Sequence, residues 1–189
     1  MQAAAKHFPN IDALVIGASA GGINALMRLL PQLPENLPFP LFVVLHQKAT
    51  GAHYLCHLLS SACNIPIHDA EDKMRTEAGH LYVAPPDYHM LIESADSIAL
   101  SLDEPVHCCR PSIDMLFESA ADIFRSRLMG VIMTGMGCDG ADGLLEIHQA
   151  GGICAVQDPG IAEFPSMPDA ALIKVPTALR FSPGSFGEV

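Results

Sequence analysis

The chain has 189 residues, half of them hydrophobic, and carries a formal net charge of −11 because only ten basic side chains oppose 21 acidic ones. This length predicts one domain with a substantial core, and the lack of clustered positive charge excludes a surface built to bind DNA or RNA. No apolar run approaches the ~20 residues of a membrane span, and residues 1–10 lack the apolar core of a secretory signal.

The first predicted elements are a strand over residues 12–16 and a helix over residues 21–30, joined by a glycine-rich turn. In that turn Gly17, Ser19 and Gly21 have the Gly-x-Ser-x-Gly spacing of a nucleophile elbow, in which a strained turn exposes a serine hydroxyl above the sheet. Helix amides starting near Gly21 would add positive potential where an oxyanion forms. Two other interpretations stay open. One is a phosphate-binding turn, although Ser19 interrupts the usual Gly-x-Gly-x-x-Gly pattern, and the other is a purely structural turn.

Strands and helices continue to alternate along the chain. The further predicted strands cover residues 40–45, 65–68, 79–84, 89–93, 97–102, 128–133 and 153–156, and the further helices cover residues 51–63, 111–124, 141–150 and 166–173. Turn residues between the strands 79–84, 89–93 and 97–102 are consistent with a meander. The alternation predicts an α/β fold, a doubly wound three-layer sandwich with a mainly parallel central sheet plus a β-hairpin or meander. We expect a single domain over residues 9–183.

Three predicted strand ends carry chemically useful side chains. Ser19 follows the first strand, His46 follows the second, and Asp139 follows the apolar strand 128–133. The functional crevice of an open α/β sheet lies at the carboxyl ends of its strands. A hydroxyl, an imidazole and a carboxylate meeting there satisfy the requirement for acyl transfer. The order Ser, His, Asp differs from that of α/β-hydrolases, but triads recur on unrelated folds in different orders.

Other residues compete for these roles. Alternative bases are His53, His57, His80 and His89. His46 is favoured because it alone follows a parallel-type strand next to the elbow. Asp142 and Asp114 are alternative carboxylates, and Asp114 is better explained as a first-turn helix acid. Asp139 could instead cap the helix that follows it.

The six cysteines show no framework of spacings and indicate reduced thiols, as in a bacterial-type cytosol. His53, Cys56 and His57 could face one another on a helix and bind a metal together with Cys108 and Cys109. The adjacent thiols, however, lack the Cys-x-x-Cys spacing of common metal sites. We therefore expect no metal and no cofactor.

Several blocks of sequence carry a resemblance to a known family. They are residues 16–22, His46, residues 79–85, residues 110–114, residues 134–141, Gln157-Asp158 and Met167-Pro168. In this order, from about residue 12 to residue 175, they resemble the catalytic domain of the chemotaxis protein-glutamate methylesterases, the CheB family. The resemblance implies a serine hydrolase that removes methyl esters from glutamate side chains of methyl-accepting chemotaxis receptors and that can deamidate receptor glutamines.

The resemblance also implies roles for individual residues and partners for the chain. Ser19 would be the nucleophile, His46 the general base and Asp139 the residue that orients His46. The Met136 N–H would be an oxyanion donor, with Gly137 and Ala20 beside it in the active-site loops. The implied partners are the cytoplasmic helices of the receptor and a receiver domain or fusion partner outside this chain, all in the cytoplasm. Two other functions stay open: a non-catalytic receptor-binding module of the same fold, and a general small-ester hydrolase.

The chain departs from the family pattern in three places. Residues 1–5 contain no phosphorylatable receiver core, whereas family members usually carry a receiver domain, so we expect this polypeptide to lack control by aspartyl phosphorylation. Cys109 stands where the family often has His before Arg-Pro-Ser. Ala20 stands where it often has Thr after the nucleophile. Both substitutions fall near the implied site and bear on substrate preference more than on the reaction.

Overall fold

A computed structural model describes residues 10–46 and 52–188 of the chain. The strands are β1 (Ala13–Ala18), β2 (Leu41–Leu45), β3 (Ile67–Asp69), β4 (Leu81–Val83), β5 (His89–Ser94), β6 (Ser97–Ser101), β7 (Leu128–Ile132), β8 (Ile153–Gln157) and β9 (Leu179–Phe181). The helices are α1 (Gly22–Leu29), α2 (Ala52–Ser60), α3 (Ile113–Phe124), α4 (Ala141–Gln149) and α5 (Ser166–Lys174), with 3₁₀ turns at Leu30–Gln32, Arg125–Arg127 and Pro183–Glu188. No helix in this described part is long and apolar enough to cross a bilayer.

Seven strands form one parallel sheet in the order β3-β4-β2-β1-β7-β8-β9. The next sheet strand along the chain, β2, pairs with one edge of β1. The later strand β7 pairs with the other edge of β1. The sheet therefore changes winding direction between β1 and β7. In open α/β sheets ligands bind at the carboxyl ends of the strands at such a switch point.

Two hydrophobic layers cover the two faces of the sheet. On β1, Leu14 and Ile16 point into one layer, where Leu26 of α1 packs. Ala13 and Val15 point into the other layer, where Phe117 of α3 and residues of α4 pack. Each large apolar side chain that is fully buried in this way contributes about 1.5–3 kcal/mol. The predicted fold class, a three-layer α/β sandwich with a mainly parallel sheet, is confirmed.

The predicted meander is wrong in one strand. β4 lies inside the parallel sheet between β2 and β3, and only β5 and β6 form an antiparallel hairpin. All three residues of β4 are buried, as expected of a strand covered on both faces. The sequence does not indicate this burial, because the strand has only three residues and turn residues flank it. The edge strand β9 is missing from the prediction because two of its three residues are exposed.

Candidate active site

The ends of β1, β2 and β7 lie side by side at the carboxyl edge of the sheet. Ala18 pairs with Leu45 of β2, and Gly17 pairs with Ile132 of β7. Backbone hydrogen bonds extend both pairings, because the His46 N–H donates to the Ala18 carbonyl at 3.1 Å and the Ser19 N–H donates to the Thr134 carbonyl at 3.0 Å. Neighbouring strands are about 4.8 Å apart. Ser19 therefore lies between the residues that follow β2 and β7.

The turn after β1 has the close packing that the elbow spacing predicts. Gly21, the N-cap of α1, has φ of 75°, a left-handed conformation that glycine adopts without strain. A Cβ on Gly22 would lie 2.5 Å from Leu45 Cδ1 and 2.8 Å from Ala18 Cβ, so strand and helix approach too closely for a side chain. The left-handed residue of the turn is thus a glycine, Gly21. Ser19 is half-buried beside it.

Asp139 is 3% exposed and accepts four hydrogen bonds. Its Oδ2 accepts from His46 Nε2 at 2.8 Å and from the Ile113 N–H at 2.8 Å. Its Oδ1 accepts from Ser112 Oγ at 2.8 Å and from the Asp114 N–H at 3.1 Å. These backbone donors form the first turn of α3, where free amides and the helix dipole favour a negative charge.

This setting keeps Asp139 ionised. Burial alone would raise the pKa of Asp139, but the hydrogen bonds from His46, Ile113, Asp114 and Ser112 hold that pKa below its ordinary value. Asp139 does not cap α4, since the N-cap of that helix is Gly140 and no side chain caps it. The alternative interpretation of Asp139 as a helix cap is therefore wrong.

The contacts of His46 assign different roles to its two ring nitrogens. Nε2 faces the Asp139 carboxylate and carries the proton, which leaves Nδ1 as the basic nitrogen. Nδ1 lies 3.7 Å from Cys109 Sγ. Burial, together with the charge of Asp139, raises the pKa of Cys109 to about 11, so this thiol stays protonated at neutral pH. No hydrogen bond joins Ser19 Oγ to His46 within the described residues, and such bonds often tighten only when substrate binds.

The alternative histidines lie in other settings. His89 is fully buried, with its Nδ1 accepting from the Ser112 N–H and its Nε2 facing the Glu104 carbonyl, so it supports the chain around α3. His80 stacks on His68 at the β3–β4 edge of the sheet. His57 belongs to α2, and the side chain of residue 53 lies outside the described residues.

The alternative carboxylates are not bonded to His46. Asp142 is exposed and pairs with Lys174 at 2.7 Å. Asp114 Oδ1 accepts from the Gly143 N–H at 2.7 Å and so links α3 to α4, a role beyond that of a first-turn acid. Burial, with the nearby charge of Asp139, raises the pKa of Asp114 to about 7.

The proposed cysteine–histidine metal site is not assembled in the described residues. Cys56 Sγ donates to Asp69 Oδ1 at 3.0 Å, next to β3. Cys109 Sγ instead lies beside His46. The His53 side chain of that hypothesis lies outside the described residues.

Among the described residues, two backbone N–H groups in the loops after β1 and β7 have no acceptor and are suited to bind an oxyanion. The Gly135 N–H donates to the Phe164 carbonyl at 3.0 Å, and the Thr134 N–H donates to Gln157 Oε1 at 2.8 Å. The N–H groups of Met136 and Ala20 donate to no acceptor among residues 10–46 and 52–188. Met136 is 62% exposed, and the adjacent Gly137 has φ of 91°.

Sequence reasoning missed two buried polar residues that support this edge. Ser112 caps α3 and donates to Asp139, and Gln157 holds the backbone after β7 through Thr134. The Pro-Ser pair before an apolar helix could have indicated the cap. Nothing in the sequence indicates that Gln157, the last residue of β8, faces Thr134.

The chain is similar to known proteins in sequence and in fold. A model of the CheB methylesterase family matches residues 14–182. A Leptospira interrogans protein is 45% identical over 163 residues, which cover 86% of this chain and 84% of that protein. A Symbiobacterium thermophilum protein named protein-glutamate methylesterase/protein-glutamine glutaminase is 38% identical over 155 residues, which cover 82% of this chain but only 43% of that protein.

The fold comparison agrees with the sequence comparisons. The crystal structure of the Thermotoga maritima CheB methylesterase catalytic domain matches with a TM-score of 0.89 at 28% identity. The match covers 94% of this chain and 96% of that domain. The likeness therefore extends over almost the whole chain.

Proposed function

The chain belongs to the CheB methylesterase family, and from that membership we propose that it removes methyl esters from glutamate side chains of chemotaxis receptors. The observation that carries the proposal is the 2.8 Å hydrogen bond between His46 Nε2 and Asp139 Oδ2, next to Ser19 in the strand register. The two-part names of its relatives support deamidation of glutamine as a second reaction. We assign the activity to residues 9–183, which include the matched residues 14–182.

In the first half of the reaction Ser19 is the nucleophile. Its Oγ attacks the ester carbonyl carbon while His46 Nδ1 takes the hydroxyl proton. Asp139 stabilises the imidazolium that forms, because its carboxylate accepts from Nε2. The oxygen of the tetrahedral intermediate accepts from the free N–H groups of Met136 and Ala20. Collapse of the intermediate breaks the bond to the methoxy group, which leaves as methanol with the proton from His46.

In the second half water releases the product. His46 Nδ1 takes a proton from a water molecule, whose oxygen attacks the glutamyl ester on Ser19. The Ser19–acyl bond then breaks, Ser19 recovers its proton from His46, and the glutamate carboxylic acid leaves and ionises. With a glutamine side chain the same route releases ammonia in place of methanol in the first half.

Methanol release from methylated receptor membranes tests the proposal. Ser19→Ala removes the attacking oxygen, so release should fall by about 10⁴-fold or more relative to the wild type. Ser60→Ala is the matched control, since Ser60 is an exposed residue of α2 whose hydroxyl bonds only its own helix. Full activity of Ser19→Ala would refute the assigned nucleophile. Hydrolysis of p-nitrophenyl acetate without methanol release from receptors would instead identify a general small-ester hydrolase.

A further inference from the structure

A second group of potential ligand atoms lies close to the His46–Asp139 pair. His107 precedes α3, Asp114 is in the first turn of α3, and Asp142 is in the first turn of α4. One ligand atom from each of the three side chains lies within 4.8 Å of the other two. We call these three residues the His107 cluster. The proposed reaction uses none of them.

Asp114 has a carboxylate oxygen without a hydrogen bond. The residue is 2% exposed, and its Oδ1 accepts from the Gly143 N–H. Its Oδ2 is buried and accepts no hydrogen bond from the described residues. His107 Nε2 lies 3.3 Å away, within ion-pair distance but without donating a hydrogen bond to that oxygen. A buried carboxylate oxygen left in this state is costly, and either a proton or a bound cation would satisfy it.

Negative charge exceeds positive charge around the His107 cluster. The Asp114 N–H bonds Asp139 Oδ1, so a third carboxylate lies next to the cluster. Lys174 pairs with Asp142 at 2.7 Å and occupies only Oδ1 of that carboxylate. The surroundings therefore favour an additional cation.

The imidazole of His107 lies between two other side chains. A ligating imidazole usually has its second nitrogen held by another group, which fixes the orientation of the ring. In this case Cys138 Sγ lies 3.8 Å from His107 Nδ1. The ring thus faces Cys138 with one nitrogen and the buried Asp114 oxygen with the other.

We propose that the His107 cluster binds Zn²⁺ through His107 Nε2, Asp114 Oδ2 and one carboxylate oxygen of Asp142. One nitrogen and two oxygens suit Zn²⁺, whereas Ca²⁺ and Mg²⁺ prefer oxygen ligands alone. Water fills the remaining position. The proposed ion would link the loop before α3 to α3 and α4, and it differs from the expectation from the sequence that the chain holds no metal.

A neighbouring group competes for the same ion. His46, Cys109 and Asp139 also have ligand atoms within 4.8 Å of one another. Both oxygens of Asp139, however, already accept two hydrogen bonds each. The unbonded oxygen of Asp114 therefore makes the His107 cluster the better site.

Titration calorimetry with Zn²⁺ on the untagged, metal-free chain tests the proposal. The wild type should bind one ion, and His107→Ala and Asp142→Asn should each weaken binding by about tenfold or more. His148→Ala, which removes an exposed histidine from the last turn of α4, should leave the affinity unchanged. Lys174→Ala should not weaken binding, which separates the loss of a ligand from the loss of the Asp142–Lys174 ion pair.

The melting temperature and the binding of Zn²⁺ by further variants distinguish the His107 cluster from the group formed by His46, Cys109 and Asp139. Zn²⁺ should raise the melting temperature of the wild type and EDTA should reverse the rise, because a ligand that binds only the folded state stabilises it. His107→Ala should show no such rise. The proposal is overturned if the wild type shows no saturable binding. It is also overturned if Cys109→Ala abolishes binding while His107→Ala retains it.

Discussion

The carboxylate of Asp139 accepts hydrogen bonds from the His46 imidazole and from the first turn of α3. All four groups that contact this carboxylate donate hydrogen bonds to it, so the side chain at position 139 has to accept on both of its terminal atoms. An aspartate fits this position because an ionised carboxylate accepts on both oxygens. The hydroxyl and the imidazole of the proposed triad lie on strand ends, whereas the carboxylate is held by a helix terminus.

We expect Asp139→Asn to lower methylesterase activity by roughly 10⁴-fold, as in the serine-protease example of a wrong histidine tautomer. The amide nitrogen would face donors and would favour the tautomer with its proton on His46 Nδ1, which removes the base. Initial rates of methanol release measure the effect.

Ser112→Ala is the control for this substitution, because Asp139 keeps three of its four donors. It should cost about 1 kcal/mol of stability through loss of the α3 cap, with a much smaller loss of activity. A rate for Asp139→Asn within tenfold of the wild type would contradict the assigned role.

At the scale of elements, the unit formed by β1, its turn and α1 depends on close contact between strand and helix. The two elements meet at Gly22, where a Cβ would press on Ala18 and Leu45. Ala18 Cβ is fixed to the strand backbone and cannot rotate away. The geometry of this turn therefore determines the position of Ser19.

We expect Gly22→Ala to destabilise the fold by about 1–3 kcal/mol, since the overpacking outweighs the better helix propensity of alanine. Urea unfolding measures the change. Gly184→Ala is the matched control, because its Cβ would make only an ordinary 3.5 Å contact with Arg28. Equal stability of the two variants would show that the turn tolerates a side chain.

Much of this architecture could be predicted from local sequence, because apolar runs and glycine-rich turns identify most strands, helices and the edge where Ser19, His46 and Asp139 lie. The position of β4 could not be predicted, since three residues do not show whether a strand lies within the sheet or in a hairpin. The contacts of Asp139 with Ser112 and Ile113 were equally hidden. They depend on how α3 docks on the sheet, and no local pattern encodes that docking.

At the scale of the whole molecule, stability depends on pH through buried groups. Cys154 lies on β8 with its side chain in the core, and burial raises its pKa from 9.0 to about 12. The folded state therefore holds the thiol proton more tightly than the unfolded chain does. This contribution to stability is fully present below pH 9 and is lost as the pH rises toward 12.

We expect the free energy of unfolding to fall less steeply between about pH 8 and about pH 10.5 in Cys154→Ala than in the wild type, by about 1–2 kcal/mol over that range. Urea titrations at the two pH values measure the difference. Cys108→Ala, which removes an exposed thiol, should keep the slope of the wild type. Identical slopes for wild type and Cys154→Ala would contradict the effect of burial.

The pairing of β1 with β7 has a consequence for the synthesis of the chain. Ala13 pairs with Leu128, so one edge of the fully buried β1 stays open until most of the chain has left the ribosome. Contacts between such distant residues slow folding, and an unpaired apolar strand edge is a template for aggregation. Ribosomal products that stop before residue 128 should therefore depend on chaperones to stay dispersed.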